Sequence, residues 1–278
     1  MKKNTFKSLT NIRKFQYKYK IEKSKKIFKV EINNFYKNPY TFLKSIYYIE
    51  SSSLIVYFSQ FTKITPNHLT FIYIVLGIIG CFFLASNNDI LIITGSFFFF
   101  TKGSFDWADG TLAKFKRATS ETGNLLDNWG ALVGQYSFLT GLGLYVYNKE
   151  NEIIFILFTL LIMFLRVIDI KSYSYQLFSI ELENAKDKKN FLKKINFGHK
   201  YYLVKRNKSF IYFIQELFRS FVDDRARTID FILLLLLIDN FYFDVFFLKY
   251  IFFYIVFKAV AVFFGKIYIT LNKKNSLL

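Results

Sequence analysis

The sequence has few of the residues that build disulfide frameworks or histidine metal sites, with one cysteine and two histidines among its 278 residues. Cys81 lies inside an apolar block and has no second cysteine to pair with, so an internal disulfide is excluded. His68 and His199 lie far apart, without the spacing of a ligand pair. Neither disulfides nor histidines are therefore expected to define the chemistry of this protein.

The N-terminal segment has no apolar core and therefore does not resemble a signal peptide. We expect the first spanning helix to act as the insertion signal. Residues 1–40 are rich in lysine and asparagine, and we interpret them as a basic cytoplasmic arm that is partly disordered.

Long apolar blocks dominate the rest of the chain, which is 53% apolar and 21% aromatic overall. Blocks of about twenty residues match the thickness of a bilayer core when they are helical. The sequence therefore predicts an all-α fold, with a membrane domain over 41–278 that holds six transmembrane helices and an N-terminal interfacial helix at 41–62. The predicted spans are 68–86, 90–105, 123–147, 153–170, 228–247 and 249–271. Polar residues near 239–244 leave open an earlier turn between the last two spans.

The formal net charge is +18, and its distribution predicts the orientation in the membrane. The arm, the 106–122 stretch, the long basic segment 171–227 and the C-terminal tail all fall on one side of a six-span bundle. The opposite side has only Lys149 and Lys249 as positive charges, so the basic side is expected to face the cytoplasm. Membrane lipids and phosphorylated substrates are the expected partners. Nucleic acid is not expected, because no binding motif accompanies the charge.

Three aspartates stand at helical spacing around the end of the second predicted span. Asp106 and Asp109 are three residues apart and share one helix face, and Asp127 lies on the next helix. Two antiparallel helices joined by a short loop would bring these carboxylates together at the cytoplasmic end of the bundle. Oxygen ligands of this kind suit Mg²⁺ or Mn²⁺, which bridge substrate phosphates.

Small residues accompany the aspartates. Gly110, Ala113 and Gly123 lack bulk, which would let a phosphorylated ligand approach the backbone. The start of the first span, Thr65-Pro66-Asn67, has a capping residue followed by proline at the first helical position.

The aspartates and glycines together resemble the motif of the CDP-alcohol phosphotransferase family, Asp-x2-Asp-Gly-x2-Ala-Arg-x8-Gly-x3-Asp-x3-Asp. The matching positions are Asp106, Asp109, Gly110, Ala113, Gly123 and Asp127. Lys114 stands where the family has arginine, which keeps the charge but loses the planar fork. Ala131 stands where the family has its final aspartate, and 128–148 contains no other acidic residue.

The resemblance implies a reaction in which an alcohol attacks the β-phosphorus of a CDP-linked donor, usually CDP-diacylglycerol, and CMP leaves. It implies that Asp106, Asp109 and Asp127 hold the metal. It implies that Gly110, Ala113 and Gly123 line the cytidine side and that Lys114 steadies the loop or a phosphate. A homodimer, a role in phospholipid synthesis and a cytoplasmic active site are further implications.

Ala131 leaves a second function open, because the resemblance assigns metal binding and proton removal to the aspartate at that position. The chain is then a slow enzyme, an enzyme with a base from elsewhere, or an inactive relative that binds nucleotide or partner proteins. A transporter is disfavoured, because transporters usually place their polar groups at mid-membrane. Lys116 and Arg117 fit either a phosphate contact or the general cytoplasmic bias in charge.

Overall fold

The computed structural model describes residues 8–23, 39–168, 226–242 and 246–276, and in these ranges all regular structure is helical. The all-α prediction is therefore confirmed. The helices are α1 Leu9–Lys23, α2 Pro39–Ser59, α3 Pro66–Leu84, α4 Asp89–Phe115, α5 Glu121–Glu150, α6 Ile154–Val167, α7 Ala226–Tyr242 and α8 Phe246–Ser276. The chain forms two compact units, Met1–Asn148 and Lys149–Leu278. The basic segment was predicted at 171–227. Its residues 171–225 lie outside the part of the chain that the structure describes.

Two of the described helices are long and apolar enough to cross a membrane: α3, and the Phe247–Gly265 part of α8. The helix α6 is also apolar but has only 14 residues. The described helices overlap the predicted spans in position, but crossing by all six stays a prediction.

The start of α3 is fixed by a reciprocal pair of hydrogen bonds. The His68 backbone N–H donates to Thr65 Oγ1 at 3.4 Å, and the Thr65 N–H donates to His68 Nδ1 at 3.2 Å. Pro66 occupies the first turn, where a missing N–H has no intrahelical partner to lose. The predicted helix start is therefore confirmed, and His68 has a capping role.

The helix α4 continues past its apolar part and ends in a Schellman motif. The Ala118 N–H donates to the Ala113 carbonyl at 2.8 Å, and Arg117 has a left-handed φ of 51°. The Lys116 ammonium donates hydrogen bonds to the carbonyl oxygens of Ser59 and Ile64, at 3.4 and 2.6 Å. Lys116 therefore ties the end of α4 to the segment between α2 and α3.

The helices α3, α4 and α5 pack closely through small residues. A Cβ added to Gly95 of α4 would lie 2.9 Å from the Gly80 carbonyl oxygen of α3, and one added to Gly141 of α5 would lie 3.1 Å from the Cys81 Cα. The Phe99 and Phe138 rings meet edge to face at 5.4 Å. This packing sets the polar ends of α4 and α5 side by side.

The N-terminal helix α1 differs from the expected disordered arm. Ile12 and Gln16 are buried, and the Phe15 ring lies 4.9 Å from the Phe115 ring of α4. Ile12, Phe15 and Gln16 share one helix face, which accounts for a docked helix despite the basic composition. On its rim, Arg13 forms an ion pair with Glu50 of α2 at 2.6 Å. Leu9–Lys23 is therefore an ordered part of the arm, and partial disorder of residues 1–40 outside this helix stays a prediction.

In the second unit, α7 ends and α8 begins earlier than the predicted spans at 228–247 and 249–271. The buried Asp239 carboxylate accepts hydrogen bonds from the backbone N–H groups of Phe247 and Leu248, at 3.1 and 2.7 Å. It thereby satisfies donors that the first turn of α8 cannot satisfy itself. The end of α7 at Tyr242 and the start of α8 at Phe246 agree with the earlier boundary that the polar residues left open.

Candidate functional site

Two of the three aspartates are in direct contact. The side chains of Asp106 on α4 and Asp127 on α5 are hydrogen-bonded to each other. The Asp109 carboxylate, whose residue is 6% exposed, lies close enough to interact electrostatically with both. Within the described ranges, no three acidic, histidine or cysteine side chains already surround a single point as metal ligands would. The site is thus a carboxyl pair with a third carboxylate nearby.

The helix α3 holds two of these carboxylates in place. Thr70 Oγ1 donates to Asp109 Oδ2 at 2.6 Å. The Tyr73 hydroxyl lies 3.0 Å from Asp127 Oδ1 and 2.9 Å from the Asp127 backbone oxygen. A Cβ on Gly130 would collide with the Tyr73 ring and hydroxyl, so a glycine is needed there for this contact. These supporting bonds orient the acidic side chains before any ligand binds.

Burial and mutual repulsion raise the pKa values of both α4 aspartates, which lie beyond the apolar part of the helix. Burial is the largest cause and raises the pKa of Asp109 to about 7, against the hydrogen bond from Thr70. The pKa of Asp106 is raised by burial and then by the Asp127 carboxylate, while Lys20 and Lys102 oppose the rise. The cluster therefore favours a proton or a cation over three free negative charges.

The donor set fits a hard divalent cation. Burial and the neighbouring Asp127 carboxylate raise the pKa of Asp106, and a cation bound there would offset the same repulsion. All the available ligands are oxygens, which suits Mg²⁺ or Mn²⁺. The residues that would hold the ion are Asp106 and Asp127, with Asp109 as the third ligand.

The small residues of the motif differ in the space that surrounds them. Gly110 is exposed, and an added Cβ would meet nothing within 4 Å, so this side of α4 is open. Gly123 is crowded, because an added Cβ would lie 3.1 Å from Ser120 Oγ and 3.3 Å from Asn67 Oδ1. Ala113 is partly buried. The open face at Gly110 has room for a ligand, whereas Gly123 has a packing reason to be small.

The basic residue of the motif lies against the N-terminal helix. Lys114 Nζ is 3.3 Å from the centroid of the Tyr19 ring, a cation–π contact. Lys20, also on α1, places its Nζ 3.8 Å from the Trp107 ring centroid and acts electrostatically on Asp106. The helix α1 thus brings positive charge to the aspartates.

Sequence reasoning missed Thr70, Tyr73, Lys20 and Lys102. Thr70 and Tyr73 are three residues apart on an apolar helix, which marks them as a polar pair but does not link them to the aspartates. Lys102 interrupts the apolar block 97–105, one turn before Asp106, which was an available signal. Nothing local to the sequence links Lys20 to the motif.

Helix-borne carboxylates beside an open glycine form the class of site that suits a divalent cation and a phosphorylated ligand. Residues 63–204, just over half of the chain, match the family described as CDP-alcohol phosphatidyltransferase. The chain therefore belongs to the CDP-alcohol phosphatidyltransferase family. Its members transfer a phosphate-containing group from a CDP-linked alcohol, and they generally use a divalent metal. No curated protein matches the sequence.

Proposed function

We propose that this chain transfers a substituted phosphoryl group from a CDP-linked donor, CDP-diacylglycerol, to an alcohol and releases CMP. The observation that carries the proposal is the contact between Asp106 and Asp127, in the family's register, with Asp109 close by. The proposal includes a multi-pass membrane domain whose aspartates face the cytoplasm, where CDP-linked donors and polar acceptors are made. It also includes a role in phospholipid synthesis.

In the proposed reaction, the acceptor oxygen forms a bond to the β-phosphorus of the donor. The bond between that phosphorus and the bridging oxygen breaks, and CMP leaves with the electron pair. Bound at Asp106, Asp109 and Asp127, Mg²⁺ or Mn²⁺ would supply positive charge that stabilises the diphosphate. Thr70 and Tyr73 keep the carboxylates oriented, and the open side of Gly110 receives the donor.

Proton removal from the acceptor is the step in which this chain departs from its family. Ala131 is exposed and has no group that accepts a proton. Loss of a general base costs about 10²–10⁴ in rate. The proposed enzyme is therefore a slow transferase, in which the proton of the acceptor hydroxyl passes to water. The second candidate, favoured by Ala131 alone, is an inactive relative that binds the nucleotide.

A CMP-release assay with purified full-length protein in mixed micelles tests the proposal. CDP-diacylglycerol is supplied with glycerol phosphate, inositol phosphate or serine, with and without Mn²⁺. We expect CMP release that needs both metal and one acceptor, and that Asp106→Asn abolishes. Asp89→Asn, a matched change at the opposite end of α4, is the control that keeps activity.

Ala131→Asp separates the two candidate functions. For the slow transferase, we expect the restored carboxylate to raise CMP release with the same acceptor. If wild type binds CDP-diacylglycerol but releases no CMP with any acceptor, the inactive relative is correct. Gain of activity only in Ala131→Asp would support the inactive relative further.

A further inference from the structure

Lys102 places an ammonium group inside the helical packing next to the aspartates. It lies on α4, four residues before Asp106 and so on the same face of that helix. Its side chain is partly buried, and Nζ occupies the space where a Cβ of Gly134 on α5 would be. The absence of a side chain at Gly134 is therefore what allows the ammonium to lie against α5.

Gly134 shares a face of α5 with Asp127 and Ala131, the last two aspartate positions of the family motif. Asp127, Ala131 and Gly134 follow one another at helical spacings of four and three residues. The Lys102 ammonium thus lies one turn from the position where the family has its last aspartate. It lies on the side of Ala131 away from the polar end of α5. A lysine that only extended toward water would point the other way.

The positive charge of Lys102 acts on the site, but no described carboxylate forms an ion pair with it. Lys102 acts electrostatically on Asp106. Among the residues that the structure describes, it nevertheless forms no ion pair with that or any other carboxylate. The ammonium can therefore donate hydrogen bonds to an oxygen atom of a ligand.

We propose that the Lys102 ammonium is part of the site. It binds a diphosphate oxygen of the donor and takes the place of a second divalent ion. Phosphoryl-transfer sites with two metals use the pair to stabilise both the attacking and the leaving oxygen. Here Ala131 removes one ligand carboxylate and Lys102 supplies a fixed positive charge one turn away. The inference rests on the proposed function for the identity of the ligand.

In the absence of ligand, one divalent ion balances the charge of this site. Three ionised carboxylates are then neutralised by one divalent cation together with one ammonium. A second divalent ion beside Lys102 would be repelled by the ammonium and would lack the carboxylate that Ala131 removes. Ala131 and the Lys102 ammonium therefore both disfavour a second divalent ion in the site.

Counting bound Mn²⁺ tests the proposal without reference to turnover. Free Mn²⁺ is measured by electron paramagnetic resonance during titration of purified full-length protein at saturating CDP. We expect one Mn²⁺ per chain for wild type and two for the double variant Lys102→Met with Ala131→Asp. Two ions on wild type, or one on the double variant, would overturn the proposal.

Affinity for CDP, measured by calorimetry at fixed Mn²⁺, is the second readout. A lost ammonium–phosphate contact is worth on the order of 10- to 100-fold in affinity, which we expect for Lys102→Met. Gly134→Ala keeps the charge but displaces the ammonium, so it should weaken CDP binding in the same direction. Lys102→Arg should retain binding, and Lys249→Met, in the other unit, is the matched control.

These measurements separate the Lys102 proposal from the proposed function. Wild type that releases no CMP, yet binds one Mn²⁺ and binds CDP through Lys102, would refute the transferase and support this inference. Undiminished CDP affinity in both Lys102→Met and Gly134→Ala would refute the inference and leave the transferase standing. A purely structural Lys102 would change the unfolding temperature but neither the Mn²⁺ count nor CDP affinity.

Discussion

Tyr73 supports Asp127 with a hydroxyl that no local sequence pattern links to the motif. Tyr73 lies on α3 and its hydroxyl contacts the Asp127 carboxylate on α5, although the two residues are 54 positions apart in the sequence. The aspartates were predictable because their spacing within a helix is local. Tyr73 and Thr70 were not, because their role depends on which face of α3 meets α4 and α5. Residues of this kind become visible only once the packing of the helices is known.

Tyr73→Phe removes one hydrogen-bond donor to Asp127 and leaves the ring in place. Loss of a supporting partner of a metal ligand typically costs about 10–100-fold in metal affinity, and we expect a loss of this size for Mn²⁺. Titration of Mn²⁺ on purified protein measures it. Tyr57→Phe on α2, whose ring contacts Phe58 and Phe61, is the control. Equal Mn²⁺ affinity in both variants would refute the supporting role of Tyr73.

Gly130→Ala should disturb the same contact from the other side. The added methyl meets the Tyr73 ring and hydroxyl, so we expect Tyr73 to leave Asp127 and Mn²⁺ affinity to fall. Overpacking of this kind destabilises by about 1–3 kcal/mol, which thermal unfolding in detergent would detect. Gly265→Ala, where an added Cβ meets nothing within 4 Å, is the control. An unfolding temperature lowered equally in both variants would contradict the prediction.

Arg117 is a third residue whose role lies in the backbone. Its left-handed φ of 51° closes the Schellman turn between α4 and α5. A non-glycine residue in this region costs about 1–2 kcal/mol relative to ordinary helical angles. We expect Arg117→Gly to raise the unfolding temperature, whereas Arg117→Ala, which removes the same charge without relieving the strain, should not. Similar temperatures for the two variants would show that strain at this turn has no effect on stability.

Some features of the helices were predictable from the sequence and others were not. The start of α3 was predictable from Thr65 and Pro66, because capping depends on neighbouring residues alone. The docking of α1 was not, because its composition is basic and its apolar face is short. The partners of that face lie on two other helices and include Ser52 and Val56 of α2 and Ala108 and Phe115 of α4. Composition predicted disorder, and tertiary packing overrode it.

Exchange of the charges of Arg13 and Glu50 tests the docking of α1. Arg13→Glu places two acids together, so we expect faster hydrogen exchange of the amides in Leu9–Lys23. Adding Glu50→Arg restores opposite charges and should restore protection. Mass spectrometry of peptides from α1 measures both. Unchanged exchange in Arg13→Glu would show that the apolar face alone holds the helix.

For the whole molecule, the membrane topology is the largest untested part of the sequence prediction. Single cysteines in a Cys81→Ala background test it, because charged maleimides label only water-exposed thiols. We expect Thr119→Cys, in the turn between α4 and α5, to be labelled only after the membrane is permeabilised. We expect Asn87→Cys, in the turn between α3 and α4, to be labelled in intact cells. Labelling of both from the same side would refute the six-span arrangement.

The contact between Phe15 and Phe115 joins residues that a ribosome makes about a hundred positions apart. At typical synthesis rates of about 5–20 residues per second, the first helix leaves the ribosome roughly 5–20 seconds before Phe115, its aromatic partner on α4, is made. During that interval Phe15 lacks its partner on α4, while α2 and α3 are being made. Complete docking of the first helix therefore has to wait until the end of α4 has been synthesised.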